Sequence, residues 1–270
     1  MVVQHNMSAM NANRQLGVTT GTLSKSTEKL SSGYRINRAA DDAAGLSISE
    51  KMRSQIRGLN KASSNAQDGI SAIQTAEGAL NEAHAILQRM NELATQAAND
   101  TNTSADRTAV QSEVNALTKE LNRIASTTQF NTKNLLDGTF SGKNLQVGAL
   151  ADQKISISIG AMNASALNVN ALCVSTFAKA GSAMTAIQHA ISKVSTQRSN
   201  LGALQNRLEH TVNNLDNVAE NTQTAESRIR DTDMASEMVQ YSATSIIQQA
   251  GQSMLAQANS QTQGVLSLIQ

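Results

Sequence analysis

The sequence predicts a mainly α fold, a long antiparallel helical bundle or coiled-coil rod with a small β-hairpin region. The chain of 270 residues contains no proline, so nothing in it interrupts a helix by removing a backbone donor. Apolar residues recur every seven positions over long stretches, a period typical of packed helices. Only 2% of the residues are aromatic, so the core must be thin and built from Leu, Ile, Val, Met and Ala.

The first predicted helix starts near the N-terminus and ends at Ser31-Ser32-Gly33. Glycine readily takes the left-handed conformation that ends many helices, so Gly33 is the expected stop. The companion positions of the seven-residue series are mostly polar or small, which indicates half of a coiled-coil seam. The series itself consists of Val2, Ala9, Leu16, Leu23 and Leu30.

Helical periodicity resumes from Leu46 to Ala98 and again from Val110 to Ile124, so these two helices are expected to fold back on each other. The polar segment 99–104 between them predicts a turn with local helix caps. Another long helix is predicted from near Ser182, where the heptad pattern returns.

Between Phe130 and Val174 the pattern alternates, which predicts the small β region. Asp137-Gly138 is a hairpin-type turn signal, and residues 155–159 alternate strictly between Ile and Ser. Residues 167–173 alternate more loosely and are assigned to the same region.

Several classes of site are not expected. The formal charge is +1 without a basic cluster interleaved with aromatic residues, so neither nucleic acid nor a membrane is an expected partner. Cys173 is the single cysteine and is expected to be a small buried apolar residue. The histidines lie far apart in sequence and predict no zinc site, and no cofactor is expected; they are His5, His84, His189 and His210.

The two ends of the chain share an unusual lack of charge. No charged residue occurs from Met238 to Gln270, and Arg14 is the one Arg or Lys in residues 1–24, which contain no acid. Amphipathic helices without charges are poorly soluble alone, so we expect partial disorder in a monomer and stable packing among copies of the same chain. The sequence therefore predicts a non-enzymatic subunit of a homopolymer.

Three segments closely resemble the signatures of bacterial flagellins: RINRAADDAAGLSIS at 35–49, RIRDTDMA at 228–235 and SMLAQAN at 253–259. The resemblance implies a structural subunit that self-assembles into the flagellar filament for swimming motility. The β region passes almost directly into the next long helix, which is typical of a minimal flagellin without variable outer domains. The alternative within the same system is a hook-filament junction adaptor.

The resemblance also implies paired terminal helices and a division of the chain into four parts. Residues 1–32 would form an N-terminal inner-tube helix, residues 33–45 a connector, and residues 46–230 a helical rod with the β region at about 130–174. Residues 231–270 would form a C-terminal inner-tube helix. The expected interface residues of the inner tube are Leu16, Leu23, Leu30, Ile247, Met254, Leu255, Leu266 and Leu268.

The connector holds four charged residues whose role has two explanations. They could form ion pairs within or between subunits, or they could simply cap a helix and solvate the connector. Adjacent carboxylates without a nearby His, nucleophile or Gly-rich loop are a weak signal for catalysis, so no catalytic residue is predicted. The four residues are Arg35, Arg38, Asp41 and Asp42.

A further set of residues resembles the flagellin surface recognised by Toll-like receptor 5. Leu87 also belongs to a heptad series, so ordinary helix packing is the alternative explanation. Asn91 stands where some relatives carry a second Arg. The candidate residues are Leu87, Gln88, Arg89, Glu92, Leu93 and Glu113.

The resemblance finally implies an extracellular protein, exported by the flagellar type III route. Residues 1–25 lack the basic start and apolar run of a secretory signal, so no cleaved signal peptide is expected. The implied partners are other flagellin copies, a flagellar export chaperone, the filament cap and hook-associated proteins.

Overall fold

The computed structural model describes residues 5–269, apart from the side chains of Thr262, Gln263 and residues 265–269. The helices are α1 (Met7–Ser32), α2 (Ala43–Ala97), α3 (Ser104–Thr127), α4 (Phe177–Arg230) and α5 (Met234–Ile269). The strands are β1 (Gln129–Phe130), β2 (Lys133–Asn134), β3 (Lys143–Gln146) and β4 (Lys154–Ile157). The predicted mainly α class with a small β-hairpin region is confirmed.

Each predicted helix end has a local cause. The backbone N–H of Gly33 donates to the Lys29 carbonyl at 2.8 Å with a φ of 75°, so glycine stops α1 as the sequence predicts. Thr103 and Asp106 form a reciprocal capping box at the start of α3, within the predicted turn. The α4 helix begins at Phe177, five residues before the predicted start.

The chain forms two compact units, of which the larger contains Gln55–Glu220. The α2 and α4 helices run antiparallel, because Ser63 hydrogen-bonds Asp216 while the later residue Glu77 pairs with the earlier residue Arg198. The α2 and α3 helices are also antiparallel, since Ala97 accepts from Arg107 while the earlier residue Arg89 pairs with the later residue Glu113. The core follows the predicted heptad stripe of α2 and includes Ile73, Leu80 and Leu87, all fully buried.

The two strand pairs are antiparallel and short. Gln129 pairs with Asn134 in the first, and residues 143–146 pair with 154–157 in the second. Asn131 and Thr132 turn the first hairpin with φ values of 46° and 62°. The turn predicted at Asp137-Gly138 exists, with Gly138 at a φ of 91°, but it lies between the two hairpins and joins no strand pair directly.

The assignment of residues 167–173 to the β region is wrong, because they form no strand. Leu167 and Val169 are buried on alternate positions, but their amides donate locally to Asn163 and Ala164 carbonyls. A series of turns therefore reproduces the alternating burial without a ladder. Cys173 is also half-buried instead of buried, and its Sγ lies 3.2 Å from the Ser175 hydroxyl oxygen, which lowers the pKa of the thiol.

The smaller unit contains Met1–Ser54 and Asn221–Gln270, and its main contact is between α1 and α5. The two helices run antiparallel, because Thr20 hydrogen-bonds Gln248 while the earlier residue Asn6 reaches the later carbonyl of Ala258. The paired terminal helices of the predicted fold class are therefore present. None of the helices within residues 5–269 has the length and apolarity needed to cross a membrane.

Candidate assembly surface

Burial is inverted in the α1–α5 pair. Of the side chains that the structure describes in these two helices, three are buried, and all three are polar: Ser26, Glu237 and Thr244. Apolar residues normally occupy such positions, and buried polar groups lower stability unless they are paired. The pair therefore has a polar seam.

Large apolar side chains of the same helices are exposed to solvent. Val239 is 72% exposed and Ile246 is 66% exposed. An exposed apolar surface of this extent marks an interaction site in a soluble protein. The exposed residues are Met7, Met10, Val18, Met234, Met238, Val239, Ile246, Ile247 and Met254.

A groove of about 270 Å³ lies between the two helices and is mostly apolar. Gly251 has no side chain, so the Leu16 methyl group approaches to 3.4 Å from the position that a Cβ would take. The groove is lined by Ala12, Gln15, Leu16, Thr19, Ile247, Ala250, Gly251 and Met254.

The predicted inner-tube residues divide into two groups. Ile247 and Met254 are exposed at 55% and 65% and are free to contact another molecule. The others are half-buried, and of these Leu16 approaches α5 at Gly251; they are Leu16, Leu23, Leu30 and Leu255. The side chains of Leu266 and Leu268 lie outside the described residues.

The connector carboxylates accept backbone hydrogen bonds within the protomer: Asp41 closes a turn of the connector, and Asp42 caps α2. One oxygen of Asp41 accepts hydrogen bonds from the amides of Asn37 and Arg38, and the Arg38 amide in particular lowers the pKa of this carboxyl. Asp42 accepts from the Gly45 amide at 2.8 Å, in the first turn of α2.

The connector arginines bind other segments of the same unit. Arg38 forms an ion pair with Glu28 at 2.9 Å, and Arg35 donates to the Ile229 carbonyl. Of the two explanations offered by the sequence, helix capping accounts for Asp42, whereas Asp41 closes the connector turn before α2. Ion pairs between subunits remain a prediction.

Three polar contacts of this unit were not predicted from the sequence. The Arg230 guanidinium lies 4.6 Å from the centre of the Tyr34 ring and pairs with Glu50 at 3.0 Å. Lys29 and Glu237 form an ion pair between α1 and α5 at 3.6 Å. These residues are far apart in sequence, and the one available signal was the isolation of Glu237 in an otherwise uncharged helix.

The candidate receptor surface is a charged cluster between α2 and α3. Arg89 binds Glu113 through two nitrogens, at 3.0 and 3.1 Å, and binds Glu92 at 3.1 Å. These hydrogen bonds, that of Glu113 first, raise the pKa of the guanidinium further above its usual range. Gln88 is exposed beside them.

Leu87 and Leu93 do not belong to that exposed surface. Their exposed fractions are 0% and 1%, because both point into the core of the larger unit. The heptad series indicated this burial, and a partner can reach only the polar members of the set without unfolding α2.

No group of three or more His, Cys, Asp or Glu side chains suited to a metal ion occurs in the described part of the chain. The candidate functional feature of the smaller unit is the exposed apolar surface around its polar seam.

Comparison with known proteins gives this surface its context. Residues 3–141 match the family described as the bacterial flagellin N-terminal helical region, and residues 184–269 match the bacterial flagellin C-terminal helical region. The chain belongs to the bacterial flagellin family. Flagellin of Halalkalibacterium halodurans is 55% identical over 271 residues, with full coverage of both chains.

Other flagellins agree over the same length. Flagellin of Bacillus subtilis is 50% identical over 304 residues, and the flagellar filament 33 kDa core protein of Treponema phagedenis is 51% identical over 285 residues; both alignments cover each chain fully. The short flagellin chain lacks large outer domains. It is a structural subunit that self-assembles into the bacterial flagellar filament, outside the cell.

Solved structures agree with the fold. The crystal structure of Bacillus cereus flagellin has a TM-score of 0.50 and 33% identity, and the match covers 56% of this chain and 88% of that one. A putative flagellar hook-associated protein from Vibrio parahaemolyticus has a TM-score of 0.61, covering 71% of this flagellin and all of that chain. Its identity is only 13%, so this likeness concerns the fold alone and does not favour the junction adaptor.

Proposed function

We propose that the exposed apolar side chains of α1 and α5 are the surface through which copies of this flagellin pack in the filament, as its inner tube. The supporting observation is the inverted burial of the pair, with polar residues inside and apolar residues outside. Water opposes the exposure of such a surface, so packing against equivalent helices of neighbouring copies is favourable.

The predicted residues take different roles in this proposal. Ile247 and Met254, together with Val239 and Ile246, contact neighbouring copies. The half-buried residues Leu16, Leu23, Leu30 and Leu255 close α1 onto α5, and Leu266 and Leu268 stay in the proposed interface on their sequence pattern alone. The assignment of 1–32 and 231–270 to the inner tube, 33–45 to a connector and 46–230 to an outer rod belongs to the same proposal.

The test is the critical concentration for polymerisation of Ile246→Ser. Ile246 is 66% exposed, so its loss costs the monomer little, whereas burial of an isoleucine in the polymer contributes about 1.5–3 kcal/mol. We expect the critical concentration to rise by at least tenfold. Gln249→Ser, an exposed polar site on the same helix, is the matched control, and equal critical concentrations for both variants would contradict the proposal.

We propose further that the connector charges Arg35, Arg38, Asp41 and Asp42 contribute to contacts between subunits. Their side chains are exposed in the protomer and their carboxylates occupy only part of their hydrogen-bonding capacity. Replacement of Asp41 and Asp42 by Ala is expected to impair polymerisation more than helix content, which circular dichroism measures. Normal filaments would show that Asp41 and Asp42 act only within the protomer, in the connector turn and in the cap of α2.

A second proposed function is recognition by host Toll-like receptor 5, through Gln88, Arg89, Glu92 and Glu113. Glu113 and Glu92 hold the Arg89 side chain, so the guanidinium is presented in a fixed position. Leu87 and Leu93 support this surface from the core. Arg89→Ala is expected to weaken direct receptor binding by at least tenfold.

The matched control is Arg123→Ala, because Arg123 is also exposed and bound to a glutamate three residues away. It should bind the receptor as the parent does. Equal affinity of Arg89→Ala and the parent would exclude this surface.

The proposal also includes export by the flagellar type III route without a cleaved signal peptide. An export chaperone, the filament cap and hook-associated proteins are the proposed partners. An apolar surface such as that of α5 needs cover before assembly, which supports a chaperone. The protein has no catalytic role and needs no cofactor. Secretion should cease in cells without the export apparatus, and an N-terminus of the secreted protein shortened by a leader would contradict this route.

A further inference from the structure

Phe177, the first residue of α4, is the most exposed phenylalanine of the chain. It is 62% exposed, whereas Phe130 and Phe140 pack against the core of the larger unit. Single exposed apolar side chains are common on protein surfaces, so this exposure alone indicates no contact. Phe177 differs from such residues because the segment before it is fixed and because a complementary cavity exists elsewhere in the same unit.

The segment that leads into α4 presents Phe177 in a fixed position. Gln111 of α3 binds this segment twice: its side-chain nitrogen donates to the Leu172 carbonyl at 2.9 Å, and its side-chain oxygen accepts from the Val174 amide at 2.8 Å. Val174 itself is fully buried in the core. The ring therefore projects from an ordered backbone, and covering it costs little further conformational entropy.

The cavity has a volume of about 340 Å³ and lies where the loop between β3 and β4 meets α2 and α4. The Gln153 side chain accepts from the Leu150 amide at 3.1 Å, and the Gln146 side chain donates to the Gly148 and Leu150 carbonyls. These hydrogen bonds hold the loop in shape, so the cavity is preformed. Its apolar lining consists of Leu59, Val147, Ala149, Leu150, Leu215 and Val218.

Phe177 and the cavity cannot meet within one chain. Phe177 and Leu215 belong to the same helix, and about 57 Å of helix separates them at 1.5 Å per residue. Leu150, at the rim of the cavity, is 68% exposed, so both ends of this helical unit have uncovered apolar side chains. Copies placed head to tail would bring the two ends together at every junction. A heterologous contact of this kind, repeated without closing, produces a filament.

We propose that Phe177 of one copy enters the cavity beside the loop 147–153 of the next copy along the filament. There it packs against Leu150 at the rim and above Leu59 and Leu215 at the floor. The occupant is a second copy, because self-assembly into a filament is the established role of this flagellin and the contact continues that assembly. The proposal goes beyond the surface of α1 and α5, since it concerns the larger unit alone.

The direct test places a photoreactive aromatic side chain at position 177. Chains with Phe177→p-benzoylphenylalanine are polymerised with an excess of parent chains, irradiated and digested, and mass spectrometry identifies the cross-linked peptides. We expect the main cross-links to join position 177 to residues 147–153 or 211–218. Because about 57 Å of helix separates position 177 from this site in one chain, such a cross-link must connect two copies.

The control for the photoreactive probe is Asn200→p-benzoylphenylalanine. Asn200 is exposed in the middle of α4, away from both ends, so the probe there should not label residues 147–153 or 211–218. Main cross-links from position 177 to any other segment would overturn the proposal, and so would filaments in which position 177 cross-links to no second copy.

The energetic test measures the critical concentration for polymerisation of the purified protein, without any other flagellar component. Phe177→Ser should raise it by about tenfold or more and Leu150→Ser by about threefold or more, because each removes apolar burial at the junction. Both residues are exposed, so the helix content measured by circular dichroism should stay unchanged. Asn200→Ser is the matched control and should polymerise as the parent does.

The double variant Phe177→Ser with Leu150→Ser shows whether the two residues share one contact. Its critical concentration should rise by less than the product of the two single effects, because the second substitution acts on a contact that is already lost. A rise equal to the product, or an unaltered critical concentration of Phe177→Ser, would overturn the proposal. Failure of the inner-tube proposal is distinguishable, because it would appear in Ile246→Ser and would leave the cross-links of position 177 in place.

Discussion

Gly33 ends α1 in a conformation that other residues disfavour. Its φ of 75° places it in the left-handed region, where a Cβ costs roughly 1–2 kcal/mol. A Cβ at Gly33 would meet no atom within 4 Å, so the cost of a substitution is in the backbone and not in packing. We expect Gly33→Ala to lower the free energy of unfolding of the terminal helix pair by about 1 kcal/mol.

Gly21→Ala is the matched control for that substitution. Gly21 lies inside the same helix, also with no atom within 4 Å of a new Cβ. Alanine there should stabilise the pair by about 0.5–1 kcal/mol, since it restricts the unfolded chain and favours helix. Thermal unfolding followed by circular dichroism measures both, and a Gly33→Ala protein as stable as Gly21→Ala would refute the assignment.

The capping box at α3 predicts a dependence of stability on pH. The hydroxyl of Thr103, followed by its amide, holds the pKa of Asp106 below its usual value. A carboxyl whose pKa is lower in the folded state contributes stability that is present above the unfolded pKa, about 4, and is lost as the pH falls through the folded pKa. The box should therefore stabilise α3 at neutral pH.

Asp106→Ala tests this dependence. The difference in unfolding free energy between parent and variant, from urea titrations, should be largest at neutral pH and shrink as the pH falls below about 4. A difference that grows on acidification would contradict the sign of the pKa shift. Asp68→Ala is a suitable control, because Asp68 is an exposed carboxylate in the middle of α2, far from any helix cap.

At single residues the sequence was informative where a local rule applies. Gly33 as a stop and the caps in segment 99–104 follow from backbone chemistry that needs no tertiary contact. The heptad position of Leu87 likewise indicated its burial. The burial of Cys173 was predicted wrongly, because its exposure depends on how the preceding turns pack against the helices, which the local sequence does not determine.

The β3–β4 hairpin packs against α2 at Gly58, which has no side chain. A Cβ at Gly58 would lie 2.8 Å from the Ala149 Cβ and 3.2 Å from its Cα, in the loop between the strands. The side-chain amide of Asn65, two turns further along α2, donates to the Gln146 carbonyl and fixes the same hairpin. We expect Gly58→Ala to displace this loop and cost about 1–3 kcal/mol.

Gly78→Ala provides the comparison for Gly58→Ala on the same helix. Gly78 has no atom within 4 Å of a new Cβ, so alanine should stabilise α2 by about 0.5–1 kcal/mol. Urea denaturation midpoints should therefore move in opposite directions for the two variants. A shift of the same sign and size would show that the hairpin does not need the close approach at Gly58.

The elements differed in how far the sequence determined them. Long heptad series in a chain without proline predict helices reliably, and the helices of the larger unit follow them. Short alternating runs are ambiguous, because the turns around Leu167 bury alternate side chains as a strand does. The pairing of residues 143–146 with 154–157 depends on contacts with α2, which no local pattern contains.

The molecule as a whole combines a well-buried core with an outward-facing apolar surface. The residues of the main hydrophobic core, from Ala66 to Leu208, lie in the larger unit and bury their side chains within one chain. In α1 and α5 the described apolar side chains are half-buried or exposed. The lack of charge in these segments indicated the surface, but the ion pair of Lys29 with Glu237 could not be predicted, because it joins residues at opposite ends of the chain.

Removal of residues 238–270 is expected to separate these two properties. The larger unit, Gln55–Glu220, keeps its whole core, so the truncated protein should retain a cooperative thermal transition close to that of the parent. Polymerisation should be abolished, since α1 loses the helix on which it packs and most of the exposed apolar surface is removed.

Electron microscopy under conditions where the full chain forms filaments measures the second effect, and differential scanning calorimetry the first. Filaments of the truncated protein would contradict the assembly role of α5. Loss of the cooperative transition would instead show that the core depends on the terminal pair. Because core burial and the exposed surface lie in different parts of the sequence, we expect a folded subunit that cannot assemble.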